Sequence, residues 1–382
     1  MNAFVPAESP LKQVIKLFLR LGFTAFGGPA AHIALMQNEV VVKRGWLKQE
    51  EFMDMLSATN FIPGPNSTEM AIHIGHKVAG RAGLLAAGLC FILPAALIVT
   101  AFAWAYVAYG SLPAFQTILY GIKPVIIAVV AQAIWSLGRS ALKNRLLWSI
   151  GLVAFLANAL GTNELIVIFA AGLVSLALTQ KNSGGIALSW FPWWPWQLAG
   201  ASIAAGTVTA FSLSKLFLFF LKVGSVLFGS GYVLLAFLRT DLVDRFHWLT
   251  ESQLLDAVAV GQFTPGPVFT TATFIGYLLA GPSGAALATI GIFLPAFFFV
   301  ALTAPFMPKL RKSKPFAAAL DGINVASLAV MAFTAAFLAK SSITDWLTAL
   351  VAIAAGILLI RYKVNSAILV LAGGIIGFLF SR

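Results

Sequence analysis

Pro63-Gly64-Pro65, followed by Asn66, Ser67 and Thr68, is a run of residue types that can hold an anion without any cationic side chain. Both prolines lack a backbone N–H and disfavour continuation of a preceding helix. A helix that restarts at Pro65, a good first-turn residue, leaves the amides of Asn66, Ser67 and Thr68 unpaired and pointing back into the break. Such helix starts combine free donors with a partial positive charge of about half a unit, so they attract oxyanions. The pattern returns at Pro265-Gly266-Pro267, with Thr270, Thr271 and Thr273 behind it. A glycine break accompanies each: Gly27-Gly28-Pro29 with Thr24 nearby, and Gly229 and Gly231 around Ser230. Glycine there allows close backbone approach. The competing reading is structural, because Gly and Pro are ordinary in membrane helices and small residues serve close packing. Duplication of the paired breaks favours a binding site.

Titratable side chains gather near the first pair of breaks. Glu69, His73 and His76 stand at i, i+4 and i+7 and share one helical face if the helix continues. Three chemistries are open to them. A metal site is one, although the H-E-x-x-H order is missing and the second Pro-Gly-Pro has no counterpart. A proton relay is another, since His titrates near neutral pH. The third is an ion-paired helix end beside Lys77 and Arg81. His32 and Glu39 also share a face; Glu39 aligns with Asp241 and has Lys43 and Arg44 as bases to pair with. Lys123, next to Pro124 in a long apolar run, either lines an anion path or snorkels to an interface. Cys90 is the single cysteine, which leaves neither a disulfide framework nor a cysteine metal site. No cofactor is expected, and no GxxxxGK[ST] loop supports ATP-driven pumping.

The elements that position these groups must lie in lipid. The chain of 382 residues is 60% hydrophobic and 10% charged, with repeated apolar runs long enough to cross a bilayer. A net charge of +12 raises the question of nucleic acid, but Lys and Arg sit in short clusters between apolar runs, as in cytoplasmic loops. Nucleic-acid binding is not expected. The fold class is therefore an all-α polytopic membrane protein, with membrane lipid as its surroundings.

The chain also repeats itself. Trp46 matches Trp248, Asp54 matches Asp256, and Pro63 matches Pro265, all at an offset of 202 residues. One residue is then lost, and Gly75, Gly80, Gly83, Pro94 and Gly121 meet Gly276, Gly281, Gly284, Pro295 and Gly322 at an offset of 201. Two tandem units are expected, residues 1–180 and 213–382, joined by a Trp- and Pro-rich linker at 181–212 suited to the membrane interface. Loop charges do not repeat. The loops holding His76, Lys77 and Arg81, and then Arg139, Lys143 and Arg145, are basic in the first unit; in the second, the stretch 280–284 is uncharged and 309–314 is basic. Opposite insertion of the two units follows, an inverted repeat of the kind common in transporters.

Basic loops on both sides of residues 52–76 make that segment dip in and return. About nine to ten full crossings plus re-entrant segments are expected. One arrangement makes residues 11–38 cross. The other makes them re-entrant, keeps Lys12, Lys16 and Arg20 inside, and lets residues 198–212 cross. Both put the C-terminus outside.

The segments "FGGPAAHIALMQNEVV" and "FIPGPNSTEMAIHIGHKVAGRAGLLAAGLCFILPA", with their second-half echoes, resemble the chromate ion transporter family in its two-domain form, over nearly the whole chain. The resemblance implies export of chromate, with sulfate as an analogue, from the bacterial cytoplasm across the inner membrane, and with it chromate resistance. It implies a transporter rather than an enzyme, and leaves a homodimer open. The anion contacts expected are Thr24, Gly27, Gly28, Pro63 to Thr68 and Lys123, with Gly229, Ser230, Pro265, Gly266, Pro267 and Thr270 from the second unit. The second unit has Val268, Phe269 and Thr271 where the first has Asn66, Ser67 and Glu69, so the first is the better candidate for direct contacts.

Overall fold

A computed structural model of the protein describes residues 9–59, 62–110, 112–181, 211–228, 233–303 and 314–380. Among these residues there are fourteen α-helices and no strand. In the first unit α1 (Pro10–Thr24) and α2 (Gly28–Gln37) flank the first glycine break, and a π-helical turn (Asn38–Lys43) leads to α3 (Gln49–Thr59). Beyond the Pro-Gly-Pro break come α4 (Asn66–Tyr109), α5 (Pro113–Ala141), α6 (Arg145–Ala159) and α7 (Glu164–Lys181). The second unit repeats this order with α8 (Leu213–Val226), α9 (Leu234–Leu238), a π-turn (Arg239–Arg245), α10 (Glu251–Phe263), a 3-10 turn (Val268–Thr270), α11 (Thr271–Thr303), α12 (Lys314–Ser342), α13 (Trp346–Arg361) and α14 (Ser366–Phe380). Among the described residues, α4, α5, α12 and the stretch Val268–Thr303 are long and apolar enough to cross a membrane, and four shorter apolar helices accompany them.

α4 is not one rod. Ala79 leaves helical geometry and Gly80 takes φ 60°, ψ −149°; Ala280 and Gly281 do the same in α11, with φ 60°, ψ −151° at the glycine. Only glycine adopts that backbone freely. A straight helix would separate Gly75 from Gly83 by about 12 Å. Instead they touch, since a Cβ on either would collide with the carbonyl of the other, and Gly276 and Gly284 repeat the contact. The chain thus reverses at Gly80, and the arm that follows, residues 81–109, is about 43 Å long, enough to cross.

Lys77, at the end of the first arm, pairs with Glu51 at the start of α3, Nζ to Oε1 3.3 Å. α3 therefore enters, breaks at Pro-Gly-Pro, and the first arm of α4 returns to the same end. α1 begins there too, because Val14, Leu17 and Phe18 share one packed cluster with Leu47, Phe52, Val78 and Ala79. The α1–α2 pair is a second hairpin beside it, the shape that the arrangement with residues 11–38 re-entrant calls for. The crossing this requires in residues 198–212 falls mostly outside the described residues.

Contacts between the units establish the inversion. Lys143, just past α5, pairs with Asp321 near the start of α12 at 2.7 Å. At the other end Tyr120, early in α5, donates to Asp345 just past α12 at 2.5 Å. α5 and α12 are counterparts in the repeat and run antiparallel, so the units point in opposite directions. They also exchange helices. Gly121 of α5 backs onto Gly373 and Gly377 of α14, while Gly322 of α12 backs onto Ala171 of α7. Small residues permit this close approach, where dispersion rather than hydrophobic burial holds helices together.

Candidate functional site

The glycine break of each unit pins the Pro-Gly-Pro break of the other. Gly64 donates its N–H to the Leu227 carbonyl at 2.8 Å, and Gly266 donates to the Ala25 carbonyl at 2.9 Å. The donors and the acceptors are each 202 residues apart, so the two bonds are the same contact seen from either unit. Both glycines have positive φ, 137° and 85°. Mutual pinning explains how non-helical backbone is tolerated here: it is buried in protein and its donors are matched across the units. The Ala25 carbonyl takes a second bond from His32 Nε2 at 3.0 Å, in the tautomer that carries the proton there.

Beyond this shared frame the two breaks differ. In the first unit the Thr68 N–H bonds back to the Pro65 carbonyl at 2.7 Å. The sequence expectation that this amide points unpaired into the break is corrected: the helix closes its first turn one residue early, with an i to i−3 bond. Ser67, Thr68, Glu69 and His73 are buried. The Thr68 hydroxyl, both Glu69 carboxyl oxygens and His73 Nε2 have no hydrogen-bond partner among the described residues. A Cβ on Gly64 would collide with Glu69 Oε1, so the carboxyl lies against the break. In the second unit Val268 and Phe269 are apolar and buried. Thr270 donates its hydroxyl to the Pro267 carbonyl at 2.8 Å, Thr271 to the Val268 carbonyl at 2.9 Å, and Thr273 bonds Thr289 at 2.7 Å.

A cavity of about 680 Å³ leads to the first unit's break. Gly27, Ser57, Asn66, Gln132, Asn324 and Ser327 line it, and Lys143 and Asp321 stand at its rim. Lys143 belongs to the basic stretch Arg139–Arg145, so the cavity opens at the basic end of the molecule. The lining is mixed, with these polar side chains set among Ile33, Leu137, Leu320 and Leu328, and it is almost free of net charge because the rim lysine and aspartate pair with each other.

Of the residues singled out from sequence, Gly27 and Asn66 line this cavity, Gly28 starts α2 behind Gly27, and Pro63, Gly64, Pro65, Ser67 and Thr68 form the break beside Asn66. Pro265, Gly266, Pro267 and Thr270 are not among the cavity residues; Gly266 meets the first unit through its bond to Ala25 and packs against Ala95. Thr24 is exposed and its hydroxyl bonds the Arg20 carbonyl at 2.8 Å. Gly229 and Ser230 lie outside the described residues. His76 is half-buried, three residues beyond the buried His73. Lys123 is not among the cavity residues: its Nζ donates to Ser252 Oγ at 2.6 Å and lies 3.4 Å from Asp256 Oδ1.

Glu39 does not meet His32. It is held by Arg20 at 2.6 Å and Lys43 at 2.8 Å, with Arg44 at 3.5 Å. Burial alone would raise its carboxyl, but Lys43 and Arg20 hold it below its ordinary value. Asp241 repeats the arrangement with Lys222 at 2.6 Å and Arg245 at 3.7 Å, so this cluster anchors the π-turn of each unit. Among the described residues no three His, Cys, Asp or Glu side chains converge as metal ligands. Gln132, Ser327 and Asp321 were missed from sequence, although a polar side chain inside a long apolar run is itself a signal.

Comparison with known proteins accords with this architecture. The family described as Chromate transporter matches residues 12–176 and again residues 214–378. The chain is 34% identical to a chromate transport protein of Cupriavidus metallidurans, over 95% of this chain and 91% of that one. It is 34% identical to a probable chromate transport protein of Synechococcus elongatus, over 92% and 90%, and 31% identical to a chromate transport protein of Pseudomonas aeruginosa, over 98% and 94%. No solved structure matches the chain. The doubled match, the bacterial relatives and the apolar helices together identify a multi-pass bacterial membrane protein, and the chain belongs to the chromate transporter family.

Proposed function

We propose that this protein exports chromate from the cytoplasm, that sulfate competes as a structural analogue, and that export confers chromate resistance. The observation that carries this reading is the cavity that opens at the basic end, carries Asn66, Gln132, Asn324 and Ser327 on its wall and stops at the first unit's break, beside buried polar groups that lack partners among the described residues. A buried hydroxyl without a partner costs roughly 1–3 kcal/mol, a cost that a bound oxyanion with its water offsets. Asn66, Ser67 and the Gly27-Gly28 backbone are the contacts of choice. The membrane potential favours this direction: an inside-negative potential drives each negative charge outward with about 2.3 kcal/mol per 100 mV, and a dianion with roughly twice that.

Glu69 adds a second control. Its carboxyl beside Gly64 donates a hydrogen bond to an oxyanion when protonated and repels a dianion when ionised. Anion occupancy is thereby linked to protonation of Glu69, and Glu69→Gln is expected to flatten the dependence of flux on pH.

The cavity volume favours one further reading, a larger anionic metabolite, since about 680 Å³ exceeds the needs of a single tetrahedral ion and its nearest waters. Chromate flux into inverted vesicles, under separately imposed potential and pH gradients, tests both. Saturable uptake, driven by a positive-inside potential and inhibited by sulfate, is the expected result. Absence of chromate uptake, or indifference to sulfate, would favour the larger cargo.

A further inference from the structure

The end of the molecule opposite the cavity is closed by a polar cluster drawn from three elements. Tyr106, in the crossing arm of α4, donates its hydroxyl to Asp256 Oδ2 at 2.9 Å. Lys123 of α5 approaches Asp256 Oδ1 at 3.4 Å and donates to Ser252 of α10 at 2.6 Å. Asp256 is only 2% exposed, and Lys123 and Tyr106 are the ionisable groups that meet its carboxylate among the described residues.

The repeat gives this cluster its meaning. Lys123 is the counterpart of Asn324, which lines the open cavity. Ala259, three residues beyond Asp256, is the counterpart of Ser57, which also lines it, yet Ala259 is 2% exposed. The same place in the two units is thus open at the basic end and filled at the other. In a pair of inverted units, alternating access amounts to the units exchanging these two arrangements. We infer that Asp256, Lys123 and Tyr106 form the outer gate, in which the Asp256 carboxylate occupies the Lys123 ammonium as a stand-in for the transported anion. Opening outward separates the pair. An oxyanion arriving from the cavity offers Lys123 a replacement partner, so cargo favours the separated state by competing with the carboxylate. The inference rests on the transport reading for the nature of the anion; the gate itself is tested without cargo.

The test uses the full chain with Cys90→Ala and a reporter Ala259→Cys, labelled by a membrane-impermeant maleimide from the outer face. Labelling is expected to be slow in this parent and to rise on the order of tenfold when Asp256→Asn or Lys123→Ala is added, because each removes the Lys123–Asp256 ion pair that holds the closed state. Asp256→Glu, which keeps the charge, is expected to label more slowly than Asp256→Asn. A second reporter, Ser57→Cys in the same backgrounds, is labelled from the cytoplasmic face in inverted vesicles and shows that each variant is folded. Unchanged Ala259→Cys labelling in both gate variants, with Ser57→Cys still reactive, would overturn the gate, as would equal labelling in Asp256→Asn and Asp256→Glu. Raised labelling in a protein that shows no chromate flux would remove the cargo and leave the gate standing.

Discussion

The two Pro-Gly-Pro breaks share a backbone and little else. The glycine kinks beyond them agree to within 2° in ψ, and each break is pinned by the opposite unit through the same bond. Their side chains have parted. The second break satisfies its own hydroxyls and fills its surroundings with Val268 and Phe269, whereas the first sets Asn66 on a cavity wall and keeps Thr68, Glu69 and His73 atoms behind it without partners among the described residues. The difference teaches that duplication supplied a scaffold that needs both copies, while the proposed binding position needs one. A scaffold is a matter of backbone complementarity, so it tolerates no change on either side; a site is a matter of side-chain chemistry, so one copy is free to become apolar.

Substitutions at the shared positions should hurt equally in either unit, and those at the divergent positions unequally. The largest effect is expected at the hairpin contacts. Gly75→Leu and Gly276→Leu each drive a side chain into backbone, and both should deplete folded protein in the membrane, read by fluorescence-detected size exclusion; loss in one alone would break the equivalence of the scaffolds. Gly64→Leu places a side chain against Glu69 at a positive φ. It is expected to leave protein in the membrane but to abolish chromate flux, and normal flux would remove the break from the path. Thr68→Val and Thr270→Val sharpen the contrast. The second should lower stability by about 1 kcal/mol through loss of a hydroxyl bond, seen as a reduced melting midpoint, while the first should weaken flux with stability unchanged. The smallest effect belongs to Lys143→Ala at the cavity rim. Its exposed ion pair contributes about 0–1 kcal/mol, so flux should stay within roughly a factor of five, with any change fading at high salt.

Much of the scaffold is legible in the sequence because it is written in glycine, proline and loop charge. Gly75, Gly80 and Gly83 keep register with Gly276, Gly281 and Gly284 since only glycine fits a reversal with backbones in contact. Basic residues on both sides of residues 52–76 follow from a hairpin whose two ends emerge together. The pinning of Gly64 by Leu227 is not legible, because a carbonyl acceptor has no residue-type signature and the partner lies in the other unit. Lys123 stands out as a lysine in an apolar run, but its partner Asp256 is brought to it only by the packing of α10 on α5. The Thr68 amide shows the opposite limit. Helix starts release donors on average, and a local 3-10 bond can reclaim one of them.

The claim that the first break alone receives the anion is tested most directly by giving it the second break's side chains. Chromate uptake into inverted vesicles under a fixed positive-inside potential should fall at least about tenfold in Asn66→Val/Ser67→Phe, and should stay near the parent value in the reciprocal Val268→Asn/Phe269→Ser wherever that protein reaches the membrane. Equal losses in the two proteins, or none in the first, would contradict the account.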